Sequence, residues 1–319
     1  MKKFLSVALA CAMLFCFAAC GSSAKSADKV LKVGVCQLIQ HPALDVATQG
    51  FSDALKEAFG DKVEIDIQNA SGESANCSTI VNGFVSSKVD LIMANATPAL
   101  QAAASATADI PILGTSVTDY ASALELDGFT GTVGGNISGT SDLAPLDQQA
   151  AMVKELCPDA KNVGLVFCSA EANSVFQIEQ MEALLTPMGF VCKRFAFTDS
   201  NDVSSVTQAA CDASDVIYIP TDNTAASNTE AIANVVLPAG VPVIAGEGGL
   251  CSGCGVATLS IDYYDLGVAT GKMAVKILKG EAKISEMPIE YAPEAAKLAH
   301  MDNCKALGIV PGADYAPLE

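Results

Sequence analysis

Short apolar runs alternate with helical segments along most of the chain. Four runs before residue 117 have the length of buried strands, at residues 30–36, 63–70, 89–95 and 110–116. Between them lie segments such as ALDVATQGFSDALKEAFG, at residues 43–60, in which apolar residues recur with helical spacing. This alternation predicts a parallel sheet with helices on both faces.

The pattern begins again after TGTVGGNISGTS, a glycine-rich passage at residues 130–141 that we interpret as a turn between lobes. Further strand-like runs follow at residues 162–168, 189–197, 215–219 and 241–245. We therefore predict an α/β fold with two Rossmann-like lobes. The lobes share a pattern of elements but no close sequence repeat.

A last strand and helix indicate how the lobes connect. Residues 256–261 predict a strand, and the helix after it carries one apolar stripe, formed by Leu266, Ala269, Met273 and Ile277. These elements would return the chain to the first lobe, and more than one crossing makes a hinge. The expected lobes are residues 30–140 plus 262–319 and residues 141–261. Two independent domains on one linker are the alternative, but no Pro- or Ser-rich spacer is evident.

The first twenty residues have the pattern of a secretory signal. Two lysines precede a short apolar stretch, and small residues then end at Cys20. The stretch FAAC resembles a bacterial lipobox, so we expect lipidation of Cys20 and attachment to the membrane by the lipid, with residues 21–29 as a flexible tether. The alternative is a plain secreted protein in which Cys20 is incidental.

Composition narrows the possible functions. Hydrophobic residues make up 50% of the 319 residues and charged residues 17%, so a large core is available. The formal net charge of −18 disfavours a protein that tracks nucleic-acid phosphates. We therefore expect no nucleic-acid partner.

Cysteine is frequent for an exported protein. Nine cysteines follow Cys20, and an odd number cannot all pair within one chain. Several lie in strand-like runs, as Cys36 and Cys168 do, which predicts buried free thiols. Cys251 and Cys254 have the spacing of half a zinc site or a redox pair, but no second pair or nearby His accompanies them. We interpret them as a glycine-rich turn, with or without a disulfide, and expect no metal and no cofactor.

Polar residues follow nearly every expected strand. In open parallel sheets, ligands bind beyond the carboxyl ends of the strands, where helix N-termini converge. The candidate ligand-binding residues at these points are Gln37, Thr97, Ser116, Thr118, Asp119, Glu171, Asn173, Ser174, Thr221, Asp222, Asn223, Glu247 and Asp262. Any one of them is more often a helix cap than a ligand contact. Their position on one edge of two facing sheets favours a shared site.

The mixture of side chains is typical of an amino-acid site. An ammonium group needs carboxylates, which Asp119, Asp222 and Glu247 could supply. A carboxylate needs donors, for which the candidates are the hydroxyls of Thr97, Ser116 and Ser174 together with helix N-termini.

Several motifs give the chain a family resemblance. The stretches IQHPALDVATQGFSDAL, ANATPALQAA, GGNISGTSD, IPTDNTAAS and IDYYDLGVATGKMAVKILKGEA resemble the solute-binding lipoproteins of bacterial ABC importers, of the tryptophan/tyrosine type. The resemblance runs from about residue 30 to 307. It implies a periplasmic-binding-protein type I fold with crossing hinge segments, capture of a free amino acid by lobe closure, and delivery to a permease and its ATPase. It also implies an extracytoplasmic, lipid-anchored location.

The resemblance gives the candidate residues roles. Asp222 would accept from the ligand α-ammonium, oriented by Thr221, Asn223 and Thr224, while Thr97 and Ser116 hold the ligand in the first lobe. The implied ligand is aromatic: tryptophan, tyrosine or phenylalanine. Its ring would contact the side chains of Tyr120, Phe176 and Tyr263, which could instead fill the lobe cores.

An enzyme and a sensor domain are the alternative classes of function. An enzyme is not expected, because His41 and His300 are the only histidines and neither lies in a catalytic motif. A sensor domain that signals a bound small molecule to a separate membrane partner would have the same sequence features. Neighbouring permease genes or a neighbouring receptor kinase gene would distinguish importer from sensor. We expect a monomer.

Overall fold

In the computed structural model, which describes residues 29–292 and 294–318, the chain forms two sheets. The expected signal, Cys20 and most of the expected tether lie outside the described residues. The strands are β1 (Leu31–Gln37), β2 (Val63–Asn69), β3 (Leu91–Asn95), β4 (Ile112–Val117), β5 (Ile137–Ser141), β6 (Asn162–Cys168), β7 (Val191–Phe197), β8 (Val216–Ile219), β9 (Val243–Ala245), β10 (Ala257–Ser260), β11 (Glu290–Tyr291), β12 (Ala296–Ala299) and β13 (Ala316–Pro317).

Helices alternate with the strands as the apolar spacing predicts. They are α1 (Pro42–Phe59), α2 (Ser74–Ser87), α3 (Thr97–Ala106), α4 (Tyr120–Ala123), α5 (Leu146–Leu156), α6 (Ala172–Leu185), α7 (Val203–Cys211), α8 (Asn223–Ala226), α9 (Thr229–Ala239), α10 (Gly248–Cys254), α11 (Tyr263–Leu278) and α12 (Met301–Ala306). Short 3₁₀ turns lie at Gly60–Lys62, Thr186–Met188 and Ile284–Glu286.

The two sheets repeat one topology. The first has the order β11-β5-β4-β3-β1-β2, and the second has the order β13-β12-β10-β9-β8-β6-β7. In each, five parallel strands follow one order, 5-4-3-1-2 in the first and 10-9-8-6-7 in the second. The predicted fold class is confirmed. We call the part of the chain built on the first sheet lobe 1 and the part built on the second lobe 2.

Strand β5 was not expected, because it lies in the glycine-rich passage interpreted as a turn. Gly139 at its centre has φ +148°, and a Cβ there would meet the carbonyl oxygen of Gly114 and the hydroxyl of Tyr120. Glycine therefore allows the strand to approach β4 closely. Glycine, which allows this close packing, is uncommon in strands, so it weakens the strand pattern in the sequence.

Within the described residues, the chain crosses between the sheets three times, after β5, after β10 and between β11 and β12. The third crossing differs from the expected boundary, which placed all of residues 262–319 in the first lobe. Strand β12 pairs antiparallel with β10, with Ala257 opposite Ala299, and β13 pairs with β12. The half-buried pattern of β12 carries no signal for which sheet it joins, so only tertiary pairing decided its place.

Apolar clusters lie on both faces of each sheet. On one face of lobe 1, helices α1 and α11 pack so closely that a Cβ on Gly50 would meet the carbonyl of Tyr264 and one on Gly267 would meet that of Ala47. This contact ties the returning helix α11 to lobe 1.

The cysteines are buried more often than exposed. All nine in the described residues are free thiols, and seven are fully buried, which confirms the prediction of core thiols. Cys251 and Cys254 lie in helix α10 rather than in a turn, and burial raises the pKa of Cys254 to about 12. Within the described residues no group of three or more His, Cys, Asp or Glu side chains could hold a metal ion. No helix in residues 29–292 and 294–318 is long and apolar enough to span a bilayer.

Candidate functional site

The strand order of each sheet reverses at one point, between β1 and β3 in lobe 1 and between β6 and β8 in lobe 2. Ligands of open α/β sheets bind at such switch points, beyond the strand ends. The two points face each other here, because His41 Nε2 lies 3.2 Å from Asn223 Oδ1. We call the region between them the cleft. It is bordered by residues 37–41, 95–98, 115–119, 168–174, 220–224 and 246–249.

The lobe 1 side of the cleft carries hydroxyls without partners. Thr97 is only 1% exposed and Ser116 only 5%. Their hydroxyl oxygens, Thr97 Oγ1 and Ser116 Oγ, are buried and make no hydrogen bond. Thr97 opens helix α3, whose first N–H groups have no acceptor within the helix. The predicted donors of the first lobe therefore share one place and are available to a ligand.

The backbone is strained at the same two strand ends. Ala96, directly before Thr97, has φ +90°, and Ser116 has φ +52°. Side chains other than glycine seldom adopt such angles, and each costs about 1–3 kcal/mol. Strain of this kind collects at functional sites, where it holds a side chain in place.

The other lobe 1 candidates have structural partners. Gln37 donates to Asp45 Oδ1 at 2.6 Å and accepts from Thr48 Oγ1 at 2.6 Å, so it fixes the loop before helix α1. Asp119 caps helix α4 by accepting from Ser122 N at 2.7 Å. Thr118 is buried.

Glu171 on the lobe 2 side is a fully occupied acceptor. Its Oε1 accepts from Thr224 N at 2.9 Å and from Thr224 Oγ1 at 2.8 Å. Its Oε2 accepts from Asn223 N at 3.1 Å, Asn223 Nδ2 at 2.6 Å and Asn173 Nδ2 at 3.2 Å. The carboxylate therefore holds the start of helix α8 against the loop before α6.

Asp222 and Glu247 are helix caps. Asp222 Oδ1 accepts from Ala225 N at 2.8 Å and Oδ2 accepts from Cys168 N at 2.6 Å. Glu247 accepts from Gly249 N at 2.6 Å and from Leu250 N. Each oxygen of both carboxylates already receives a backbone N–H.

The remaining candidates lie in the second half of the chain and differ in their hydrogen bonding. Asn173 donates to Thr221 O at 3.0 Å, but its Oδ1 is buried without a partner. Ser174 is buried beside it and lies within 3.3 Å of Asn173 Nδ2, while Thr221 Oγ1 donates to Gly246 O at 3.3 Å. Asp262 is exposed and caps helix α11 through Asp265 N.

Comparison with known proteins shows the family. The sequence profile described as ABC transporter substrate binding protein matches residues 32–310. The chain belongs to this family. Substrate-binding proteins of ABC transporters act outside the cytoplasm and bind a small molecule that the transporter carries.

Individual relatives of this substrate-binding protein are similar over most of its length. The tyrosine-binding protein of Clostridioides difficile (strain R20291) is 35% identical over 282 residues, covering 88% of this chain and 81% of the relative. A solved ABC domain in complex with L-Trp, from Streptococcus pneumonia, is 32% identical with a TM-score of 0.86, covering 90% of this chain and 99% of that chain.

Another solved structure has a lower structural similarity to this chain. It is the ligand-free, open structure of a substrate-binding protein with adhesive properties from Clostridium difficile, 36% identical with a TM-score of 0.68 and covering 91% of this chain and 100% of that chain. By TM-score the substrate-binding protein is more similar to the L-Trp complex than to this open structure. In this chain His41 contacts Asn223 across the cleft.

The cleft of this substrate-binding protein has an acidic interior. None of its six bordering segments contains Lys or Arg. Burial, together with the neighbouring carboxylate of Glu171, raises the pKa of Asp222 to about 7. Burial also raises the pKa of Glu247, against the lowering effect that a positive charge on His41 and the capping N–H groups exert.

The hinge contains a carboxyl group that sequence reasoning missed. Asp142 lies in the first crossing, and its Oδ2 accepts from Tyr263 Oη, in the second crossing, at 3.0 Å. Burial raises the pKa of Asp142 to about 6, against hydrogen bonds from Thr118 and Tyr263. Asp142 directly follows β5, the strand hidden in the glycine-rich passage, so its position at a strand end was not visible.

The three predicted rings do not line the cavity between the lobes. Tyr120 is buried in the lobe 1 core and donates to Thr140 O at 3.1 Å, Phe176 lines a separate groove beside residues 143–147, and Tyr263 bonds Asp142. The inter-lobe cavity has a volume of about 280 Å³. Its apolar lining comes from Leu38, Ile39, Pro98, Cys168 and Ala170. A larger groove of about 950 Å³ lies between helices α1 and α11, away from the cleft.

Proposed function

We propose that this protein captures a free amino acid in the cleft, with tyrosine and tryptophan as the first candidates, and delivers it to the permease and ATPase of an ABC importer. The observation that carries the proposal is the pair of unpartnered hydroxyls, Thr97 and Ser116, at strained strand ends. The names of two relatives, one tyrosine-binding and one in complex with L-Trp, support the ligand class.

The ligand carboxylate would bind on the lobe 1 side. Thr97 and Ser116 supply hydroxyl donors, and the first turn of helix α3 adds free N–H groups and the positive end of its dipole. No Arg or Lys is present in the bordering segments to take this role. The carboxylate would therefore be held by neutral donors, which suits an acidic cleft that contains no competing cation.

The ligand ammonium would be favoured by the field of the buried acids on lobe 2. Asp222, Glu171 and Glu247 are each less than 5% exposed. Their oxygens have structural partners, so the direct acceptance expected of Asp222 stays a prediction. A carboxylate oxygen can accept more than one hydrogen bond, which leaves capacity for it.

The ligand side chain would extend into the inter-lobe cavity. Leu38, Ile39 and Pro98 on one lobe and Cys168 and Ala170 on the other give it apolar walls without any aromatic ring. An aromatic ligand would thus pack between aliphatic groups rather than stack on rings. Ser71, Ser74 and Ser200 line the same cavity and offer hydroxyls to a polar substituent.

The placement of the protein at the cell follows from its N-terminus. We propose removal of residues 1–20 as a signal, lipidation of Cys20, and anchoring to the outer face of the cell membrane as a monomer that performs no catalysis. Mass spectrometry of the N-terminal peptide from the native host would show a lipid on Cys20. An unmodified Cys20 in the exported protein would contradict the anchor.

Isothermal titration of the purified full-length protein with the twenty amino acids tests the ligand class. Thr97→Ala and Ser116→Ala should each weaken binding roughly tenfold or more, because a hydrogen bond to a charged group contributes about 1.5–3 kcal/mol. Thr79→Ala is the matched control, since Thr79 is an exposed helical threonine of lobe 1. Absence of binding by any amino acid, or equal loss in all three variants, would overturn the proposal.

A further inference from the structure

His41 joins the two lobes across the cleft. The residue lies directly before helix α1 in lobe 1 and is 6% exposed. Its Nε2 is 3.2 Å from Oδ1 of Asn223, which opens helix α8 in lobe 2. The sequence places no catalytic motif around this histidine, although it lies in one of the stretches that carry the family resemblance.

Glu171 determines which side of the Asn223 amide faces the ring. Asn223 Nδ2 donates to Glu171 Oε2 at 2.6 Å, and the same carboxylate accepts the backbone N–H groups of Asn223 and Thr224. A carboxylate surrounded by donors can only accept, so the amide nitrogen must point to Glu171 and the amide oxygen to His41. His41 Nε2 therefore carries a hydrogen and donates it to Asn223.

The other ring nitrogen has no partner. His41 Nδ1 is buried and makes no hydrogen bond, and in the neutral ring with hydrogen on Nε2 it is an acceptor. Glu247 faces the ring from lobe 2, but its oxygens accept from Gly249 and Leu250 and have no hydrogen to give as a carboxylate. A buried acceptor without a donor is costly, and a ligand is the ordinary way to satisfy one in a binding cleft.

We propose that His41 reads the ligand amino group: Nδ1 accepts a hydrogen bond from the α-ammonium while Nε2–H holds Asn223 of the opposite lobe. One ring then links the ligand to both lobes, so that amino-group recognition and closure depend on each other. This inference rests on the proposed amino-acid function. It assigns the amino group a direct contact from lobe 1, in addition to the field of the lobe 2 acids.

Two isosteric variants separate the two nitrogens. His41→Gln places an amide nitrogen near the position of Nε2 and leaves nothing at Nδ1, whereas His41→Asn places a polar atom near Nδ1 and cannot reach Asn223. His300→Asn is the matched control, because His300 caps helix α12 in lobe 2 and asparagine can replace a cap. Thermal unfolding of all three variants establishes that each is folded.

The probes are L-tyrosine and L-tryptophan, each paired with the propionic acid that lacks its amino group. In the wild type, removal of the amino group should weaken binding at least tenfold. His41→Gln should weaken binding of the amino acids about tenfold and change the affinity for the propionic acids less than threefold. Small-angle scattering should show ligand-induced compaction in His41→Gln and a reduced compaction in His41→Asn.

The outcomes distinguish the possible failures. Equal loss of affinity for amino acids and propionic acids in His41→Gln would mean that the ring only supports the fold, which overturns the inference. Unchanged affinities in both variants would overturn it as well. If the wild type binds none of the amino acids, the proposed function fails first and the inference with it.

Discussion

The two sides of the cleft use their polar residues differently. On the lobe 2 side, Glu171, Asp222 and Glu247 are buried carboxylates whose oxygens receive hydrogen bonds from backbone N–H groups or neighbouring side chains. On the lobe 1 side, Thr97 and Ser116 are buried hydroxyls that receive and give none. The acidic residues are the most conspicuous candidates in the sequence, but in the structure they already accept hydrogen bonds within the protein.

This difference separates the residues that stabilise the fold from the residues that are available to bind a ligand. Buried carboxylates that cap helices stabilise the lobe 2 face and set its negative potential. Buried hydroxyls without partners on a strained backbone destabilise the ligand-free protein, and hydrogen bonds from a ligand would offset that cost. We therefore expect lobe 2 substitutions to change stability first and lobe 1 substitutions to change affinity first.

The largest effect should come from Glu171→Ala. It leaves the N–H groups of Asn223 and Thr224 and the Asn223 amide without their acceptor, so the free energy of unfolding should fall by about 3–5 kcal/mol. Urea unfolding of the ligand-free protein measures it. Glu230→Ala, at an exposed acid in the first turn of helix α9, is the control. A Glu171 variant as stable as the control would contradict the structural role given to the carboxylates of lobe 2.

The next effect concerns pH and the hinge. Burial holds the pKa of Asp142 at about 6 against an ordinary 3.8, so the folded state binds more protons than the unfolded state between these values. Stability should therefore be greatest in mild acid and should fall by about 3 kcal/mol as pH rises from 4 through 6. Asp222 and Glu247, whose pKa values are also raised, act in the same direction.

Asp142→Asn sharpens this test, because an amide cannot ionise. Thermal unfolding between pH 4 and pH 8 should show a smaller decline in the variant than in the wild type. Asp147→Asn, an acid in the first turn of helix α5, controls for removal of one charge nearby. Parallel curves for wild type and Asp142→Asn would show that the carboxyl group ionises as freely in the folded protein as in the unfolded chain.

A smaller effect is expected on the lobe 1 side. Thr97→Ala should lower ligand affinity by about 1.5–3 kcal/mol and leave the stability of the ligand-free protein within about 1 kcal/mol, because the hydroxyl has no partner to lose. Titration and urea unfolding of the same sample measure both quantities. A loss of stability larger than the loss of affinity would place Thr97 with the structural residues.

The smallest effect should come from relief of backbone strain. Ala96→Gly removes the Cβ at φ +90° and should raise the free energy of unfolding by about 0.5–1 kcal/mol, after the greater chain entropy of glycine is offset. Ala99→Gly, in the first turn of the same helix, should instead destabilise. If Ala96→Gly is as destabilising as Ala99→Gly, the strain is not significant.

Local pattern determined most of the fold. The strands β1 to β4 and β6 to β10 and helix α11 lie where apolar periodicity predicts them, because that periodicity records which face of each element is buried. The glycine-rich strand β5 and the edge strand β12 were missed or misplaced. Their positions depend on close approach to another strand, which leaves little trace in the local sequence.

For the site, the sequence determined which residues stand at the strand ends, and their convergence on one cleft follows from the parallel topology. Only the tertiary structure decided which of them have hydrogen-bond partners within the protein. Glu171 meets Asn223 52 residues away, and His41 meets it 182 residues away. A polar side chain becomes a cap or a ligand contact according to the groups that packing brings to it, and such distant partners cannot be read from neighbouring positions in the chain.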